Sequence, residues 1–363
     1  MSESSQVQET RENKPDESMS THDGPQKALY AWIGGLIFAL GFTILIWLLG
    51  PLLEVYPHLP DQGATWYYWQ LPARDDVLML VTWVFYLSHQ FAIWGAIYWA
   101  QKNLKEFRAT PTRDLTKYNY MAIIINVVFI VLHLVQTHLW YDGLAQDVPI
   151  WTSQGSVIVM LSVILIIENP RRGFFLGKKA GKPMTARVVG FFRRTHTYIF
   201  AWALVYTFWF HPMDSDPQLL TGFFYMFLLF TQISLAYTTV HVDKRWIVLL
   251  EYNVAFHGAV VAVFNTAFFN SAEMWPMFFS GFTFMFVFTY MYAFDVRREI
   301  RWLVMVLYFA FLAWLYLPLP FGFGRDPMKL MMLEFLWIPI VLYGLSIVLA
   351  ALAFLYLRIR NKK

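Results

Sequence analysis

The residues of this chain best suited to chemistry are seven histidines in or beside long apolar stretches. Neutral imidazole is a common ligand of iron, copper and zinc, and it exchanges protons near neutral pH. Ionisable groups inside a bilayer are costly, so they usually face the interior of a helix bundle and mark function. The chain has no cysteine, which excludes thiolate metal sites and iron–sulfur clusters. The seven are His89, His133, His138, His196, His211, His241 and His257.

The stretch VLHLVQTHLWYD holds two of them, His133 and His138, five positions apart. On a regular helix this spacing points the two side chains about 140° apart, so they cannot bind one ion together. We expect separate roles for them. His133 shares a face with Asn126, Gln136 and Trp140, which predicts a buried polar stripe. His138 lies beside Trp140, at a predicted membrane boundary.

A central metal site is predicted from the depths of three histidines. Counted at 1.5 Å per residue, His89 and His257 lie level near the middle of the membrane, and His133 lies about 10 Å higher. These three are the predicted metal ligands. Asn253 precedes His257 by one turn, and Glu251 is turned about 120° away from it. We predict His257, Asn253 and Glu251 as catalytic residues.

Two further levels are predicted to bind a cofactor. His196 and His211 lie fifteen residues apart on one predicted span, which is about 22 Å along the helix axis. His241 lies level with His196 at one membrane surface, and His138 lies level with His211 at the other. Two stacked histidine sites joined by one helix resemble diheme membrane cytochromes, in which each iron takes axial histidines. The resemblance implies haem b, or a histidine-bound transition metal such as iron or copper.

The resemblance covers only part of each family pattern. In membrane cytochromes of the ferric-reductase type, two helices each supply a histidine pair with such spacing. Here only one predicted span does, the one that holds His196 and His211. FWFHPMD resembles the HPEVY stretch of haem–copper oxidases, but it lacks the glutamate, the tyrosine and the paired histidines downstream. We assign the chain to neither family.

The elements that position these histidines are predicted to be membrane-spanning helices. The chain has 363 residues, of which 58% are hydrophobic and 14% charged, and its mean hydropathy is +0.45. Repeated runs of about 20 apolar residues predict an all-α, polytopic integral membrane bundle. We predict a disordered polar tail at 1–27, one transmembrane domain at 28–357 and a short basic tail at 358–363. The ten predicted spans are 28–50, 76–100, 117–140, 149–168, 195–211, 218–241, 246–269, 274–294, 302–319 and 332–357.

The basic residues predict the orientation of these spans. Twenty-five of the 28 lysines and arginines fall in alternate connections or in the termini. The positive-inside rule therefore places both termini in the cytoplasm. We expect the membrane to be the plasma (inner) membrane. Because the basic charge is a topology signal, we do not expect nucleic-acid binding. The basic loop 168–194 predicts contact with anionic lipid, at about 1 kcal/mol per base.

Four classes of function are consistent with the sequence. The first is a membrane oxidoreductase that binds haem or a metal through the histidines and acts on a lipid-soluble substrate or passes electrons. The second is a proton- or cation-coupled transporter, with His89, His257 and Glu251 as a relay. The third is an enzyme that modifies lipids or isoprenoids, and the fourth is an accessory subunit. The sequence favours the first and leaves the substrate, partner subunits and oligomeric state open.

Overall fold

The structure is a computed structural model that describes residues 26–57, 71–108, 110–269 and 274–360. Of the tails predicted at 1–27 and 358–363, residues 1–25 and 361–363 lie outside the described residues, whereas Lys27 begins α1 and 358–360 end α11. No strand occurs in the described ranges, which form one helical bundle. Its helices are α1 Lys27–Leu49, α2 Asp76–Asn103, α3 Lys117–Trp140, α4 Trp151–Arg172, α5 Ala186–Phe210, α6 Pro217–Ser234, α7 Lys244–Phe269, α8 Trp275–Phe288, α9 Arg298–Tyr316, α10 Pro327–Met331 and α11 Trp337–Arg360.

Eight helices of the described chain are long and apolar enough to cross a membrane. They are α1 to α4, α7 to α9 and α11, and they confirm the prediction of a helical, multi-pass membrane protein. Helices α5 and α6 are not among them. The first three turns of α5 hold three arginines, and α6 has only 18 residues with a glutamine near each end. Helix α11 continues through Arg358 to Arg360, past the predicted boundary at 357.

The loops gather at two opposite ends of the bundle. The end formed by 104–108, 110–116, 173–185, 235–243 and 289–297 is called the basic end. Hydrogen bonds such as Thr239 N to Thr112 O and Leu176 N to Phe288 O join its loops. The other is called the acidic end, where the Tyr141 hydroxyl donates to Asp214 Oδ2 at 2.8 Å. Each long helix runs from one end to the other, so neighbours in sequence are antiparallel.

Helices α5 and α6 lie in the middle of this arrangement. Helix α5 packs against α2, α4, α6 and α11, and α6 packs against α1, α3, α5 and α7. About half of the residues of α5 and two thirds of those of α6 are buried. The polar residues that lower their hydropathy therefore lie against protein, where hydrogen-bond partners are available.

Helix α6 ends seven residues earlier than predicted, so His241 lies in a turn. The Asn119 amide nitrogen of α3 donates to the carbonyl oxygens of Ser234 and Ala236, at 2.7 and 2.8 Å. These bonds satisfy carbonyls that the helix leaves open at its end. Tyr237 then adopts a left-handed conformation with φ of 71°, which turns the chain away from the helix axis.

Candidate functional site

His89 lies fully buried between three helices, in a neutral and completely satisfied arrangement. The indole nitrogen of Trp209 donates to His89 Nδ1 at 3.2 Å, so the ring proton is on Nε2, which donates to Asn126 Oδ1 at 3.0 Å. The Asn126 amide nitrogen in turn donates to the Ser234 hydroxyl at 2.9 Å. Phe129 stacks on the imidazole with ring centroids 4.5 Å apart.

His133 is also fully buried, but both of its ring nitrogens face oxygen acceptors. Nδ1 lies 2.8 Å from Gln136 Oε1, and Nε2 lies 2.8 Å from the carbonyl oxygen of His211. The side-chain amide of Gln136 turns Oε1 towards His133 because its Nε2 donates to the Asp142 main-chain carbonyl oxygen at 3.2 Å. A neutral imidazole carries only one N–H, so the two contacts are both satisfied only when the ring holds a second proton.

These residues belong to a buried polar stripe along one face of α3. Asn119, Asn126 and His133 lie seven residues apart, and seven residues bring a helix back to nearly the same face. All three are at most 2% exposed. Their partners on α2, α5 and α6 fix the centre of the bundle, which confirms the predicted polar stripe.

The three predicted metal ligands do not share a site in this arrangement. His89 and His133 lie near each other, since Trp209 bonds to one ring and packs 4.3 Å from the other. Both nitrogens of each ring are engaged by protein groups. His257 faces a separate cavity. Among the described residues no group of three or more histidine, aspartate or glutamate side chains could hold a metal ion.

His196 and His241 do come together, in a cavity at the basic end. Their ring centroids lie 6.1 Å apart, with an angle of 30° between the ring planes. His196 Nδ1 donates to the Arg193 carbonyl oxygen at 2.9 Å, and His241 Nδ1 donates to the Gln232 carbonyl oxygen at 2.9 Å. These bonds fix the tautomer in which Nε2 carries the lone pair of each ring.

Basic side chains surround this cavity, which is called the basic-end cavity. Its volume is about 490 Å³, within the range of small-molecule sites. Apolar side chains of α4, α5 and α6 form its inner wall. Arginines from three segments line it towards the surface, and these are Arg108, Arg171, Arg193 and Arg194.

Glu251 lines the same cavity and is held in a buried ion pair. Both Glu251 carboxylate oxygens accept from the Arg172 guanidinium, with Nη2 to Oε1 at 2.6 Å. Arg172 also lies over the Tyr290 ring, 4.7 Å from its centroid. The predicted catalytic residues are thus divided, since Glu251 faces the basic end and His257 the acidic end. Asn253 is half-buried on α7 and lines neither cavity.

A second cavity, of about 460 Å³, lies towards the acidic end and contains His211 and His257. It is called the acidic-end cavity. His138, which was predicted to pair with His211, does not line it. Instead, His138 Nδ1 donates to the Leu134 carbonyl oxygen at 2.8 Å, within its own helix.

A cluster of carboxyl groups lies in the loop after α3, at the acidic end. The Thr82 hydroxyl lies 2.6 Å from Asp142 Oδ2, and Asp147 bonds to the Trp83 indole and pairs with Arg74. Burial raises the pKa of Asp142 to about 6, against the smaller opposing effect of its hydrogen bond with Thr82. Burial also raises the pKa of Asp147. These two groups therefore exchange protons closer to neutral pH than ordinary carboxyls do.

The melting temperature of the purified protein should fall as pH rises from about 4 to about 6. The folded state binds the Asp142 proton more tightly than the unfolded chain does, where the pKa is about 3.9, so stability present at low pH is lost as Asp142 ionises. A difference of about two pKa units corresponds to about 3 kcal/mol. Asp142→Asn should flatten this part of the profile. Melting curves in detergent measure it, and an unchanged slope in the variant would contradict the assignment.

Three functional contributors were missed from sequence. Trp209 bonds to His89 and packs on His133, yet one tryptophan among 16 gives no signal. Arg172 looked like one more loop base, because α4 was expected to end before Pro170. Gly222 lies beside the His257 ring, where an added Cβ would come within 3.1 Å of Cε1. Only the packing of helices distant in sequence reveals these roles.

Comparisons with known proteins add no functional information. No protein-family model, no curated protein and no solved structure matches the chain. The two cavities and the buried histidines are therefore the features of the molecule that bear on its function.

Proposed function

We propose that this protein is a membrane oxidoreductase that holds haem b, or a histidine-bound iron or copper ion, between His196 and His241 in the basic-end cavity. The observation that carries the proposal is the pairing of two imidazoles from different segments, each presenting Nε2. They lie at the level predicted for a cofactor, and four arginines line the same cavity.

The residues of the basic-end cavity fit such a group. A metal-bound imidazole nitrogen lies about 2.0–2.1 Å from a zinc ion and similarly close to other first-row metals. His196 and His241, whose ring centroids lie 6.1 Å apart, would both be close enough to hold one such ion. Metal-binding histidines usually donate their second ring N–H to a carbonyl or carboxylate, as both rings do here.

The arginines fit haem better than a bare ion. Haem b carries two propionate groups, and arginine binds carboxylates with paired N–H donors. Arg193 and Arg194 precede His196 by three and two residues, and Arg108 lines the same cavity from the loop after α2. Two histidines without a third protein ligand also suit an ion that a macrocycle already coordinates.

The bound group would supply one-electron chemistry, and the protein would supply its position and surroundings. His196 and His241 would hold it, and their carbonyl partners would keep the ring orientation fixed. The buried pair of Arg172 and Glu251 would set the charge on the inner wall. Aromatic and aliphatic side chains of α4 to α6 would exclude water from the bound group.

The orientation and lipid contacts belong to the same proposal. With all ten long helices spanning, the positive-inside rule places the basic end and both termini in the cytoplasm. The membrane would then be the plasma (inner) membrane, and the exposed arginines and lysines of the basic end would bind anionic lipid.

The purified protein should show a haem absorption band, or contain iron or copper by metal analysis. His196→Ala and His241→Ala should each remove at least 90% of the bound group, because each leaves the ion with one protein ligand. His138→Ala is the matched control, since its ring bonds within α3, and it should keep the spectrum. A colourless, metal-free protein that is folded by size exclusion and melting would refute the proposal.

Proton transport is the second candidate, favoured by the chain of hydrogen bonds along α3. His133 is placed to take up a second proton, and Gln136 connects it to the main chain at Asp142. These hydrogen bonds do not continue to His89, because Trp209 donates to His89 Nδ1 and only packs against the His133 ring. A colourless protein that takes up protons in sealed vesicles would favour this candidate over redox chemistry.

A further inference from the structure

The acidic-end cavity has the form of a site for an amphipathic ring compound. Its body is apolar and is formed by α4, α6, α7, α8 and α11. Phe223, Phe278 and Phe282 contribute aromatic faces to this body. Its polar side chains include His257, Thr207 and Gln218. An apolar body with a few placed polar groups is the usual composition of a small-molecule site.

His257 presents a hydrogen-bond acceptor to this cavity. The Thr221 hydroxyl lies 2.9 Å from the Pro217 carbonyl oxygen and 3.1 Å from His257 Nδ1, and with its proton in the shorter of these bonds its oxygen accepts from Nδ1. The proton of the neutral ring is therefore on Nδ1, and Nε2 carries the lone pair. A ligand that donates a hydroxyl proton is favoured over one that offers only a carbonyl oxygen.

Gly222 makes the room that this arrangement requires. It is buried on α6 directly beside the imidazole, and an added Cβ would lie 3.1 Å from His257 Cε1 and 3.5 Å from Nε2. Any side chain at this position would push the ring aside or cover its acceptor nitrogen. The glycine thus keeps Nε2 accessible.

The cavity reaches the surface of the bundle between α4 and α11. Three of its lining residues are exposed there, and these are Gln154, Trp337 and Val341. Two of the three are apolar, and both belong to a helix that is apolar enough to span a membrane. The opening therefore faces lipid, which is the route that a lipid-soluble molecule would take.

A single layer of side chains separates the acidic-end cavity from the basic-end cavity. Met160, Leu161, Tyr225 and Leu229 line both. A ligand in one cavity would lie close to a group held in the other. A ligand of the acidic-end cavity would therefore be near enough to react with a group held in the basic-end cavity.

We infer that the acidic-end cavity binds the ring of a lipid-soluble hydroquinone, with a ring hydroxyl donating to His257 Nε2. The inference rests on the proposed redox function, for which it names the class of substrate. The three phenylalanines supply stacking surfaces for a flat ring, and the opening towards lipid admits an alkyl tail. The acceptor at Nε2 gives the reduced form tighter binding than the quinone.

Isothermal titration calorimetry under argon tests this inference. It measures the binding of decylbenzohydroquinone to the full-length protein in nanodiscs. The wild type should bind it, and should bind decylbenzoquinone at least 5-fold more weakly. His257→Phe should weaken hydroquinone binding about 10-fold and remove the preference, because phenylalanine retains the shape but not the acceptor. His257→Gln should retain part of the preference through its amide oxygen.

Two glycine variants provide a matched pair. Gly222→Ala should weaken hydroquinone binding, whereas Gly41→Ala should not, since an added Cβ at Gly41 meets nothing within 4 Å.

Absence of binding in the wild type overturns the inference, as does binding that is unchanged in both His257→Phe and Gly222→Ala. The haem spectrum is a separate readout. A protein that keeps its haem or metal ion but binds no hydroquinone refutes the inference alone, and one that lacks both haem and bound iron or copper refutes the proposed function.

Discussion

Arg172→Met should destabilise the protein by roughly 3–5 kcal/mol, because removing one member of a buried ion pair leaves the other charge without compensation. The side chains of Arg172 and Glu251 are 0% and 2% exposed, and the pair joins α4 to α7. The variant should show a large fall in melting temperature or fail to accumulate in the membrane. Thermal unfolding in detergent, followed by circular dichroism, measures the change.

The double variant Arg172→Met with Glu251→Gln should recover much of this loss. Replacing both charges removes the uncompensated carboxylate, and a buried pair is often no more stabilising than a neutral replacement of similar volume. Asp114→Asn is the control, since Asp114 and Lys27 form an exposed pair and the melting temperature should not change. An Arg172→Met protein as stable as the wild type would show that Glu251 is protonated in the folded state.

Asn119→Ala should be the second severe substitution, with a loss of roughly 3–5 kcal/mol. Its amide nitrogen satisfies two carbonyl groups at the end of α6, and its Oδ1 accepts from the Thr116 backbone N–H at 2.6 Å. Each buried polar group that loses its partner costs about 1–3 kcal/mol. Because the same bonds set the turn that carries His241, the variant should also lower the occupancy of the proposed cofactor.

Asn103→Ala is the matched control for that substitution. Asn103 also ends a helix, but it is exposed and its amide nitrogen bonds only to the Trp99 carbonyl oxygen one turn before. Its loss should change the melting temperature by less than 2 °C. If Asn119→Ala and Asn103→Ala behaved alike, the end of α6 would not depend on α3.

The sequence predicted the heights of side chains along the helices well. His196 and His241 were expected at one level because the rise of a helix is constant, and their rings do meet. The buried face of α3 was also predicted, since periodicity fixes which residues of one helix share a face. These are local properties of single segments.

Neighbour relations between helices could not be predicted in the same way. His257 was expected beside His89, but α7 packs against α6 and α8, whereas α2 packs against α3 and α5. Two side chains at equal depth can thus face different cavities. The partner of Glu251 was missed for a related reason, because α4 continues through Pro170 and carries Arg172 back into the bundle.

The central position of α5 and α6 has a consequence for biosynthesis. A segment leaves the translocon for lipid when its apolar residues outweigh its polar ones, and charged residues near its middle count most against it. The hydropathy of α5 and α6 is lower than that of the other eight long helices. Their insertion into the membrane therefore depends on contacts with helices that are already there. Helices α1 to α4 emerge from the ribosome earlier and carry several of the groups that bond to α5 and α6. Because synthesis starts at the amino terminus, α5 and α6 are made after α1 to α4. The two least apolar helices of these six can therefore pack against helices that are already in the membrane.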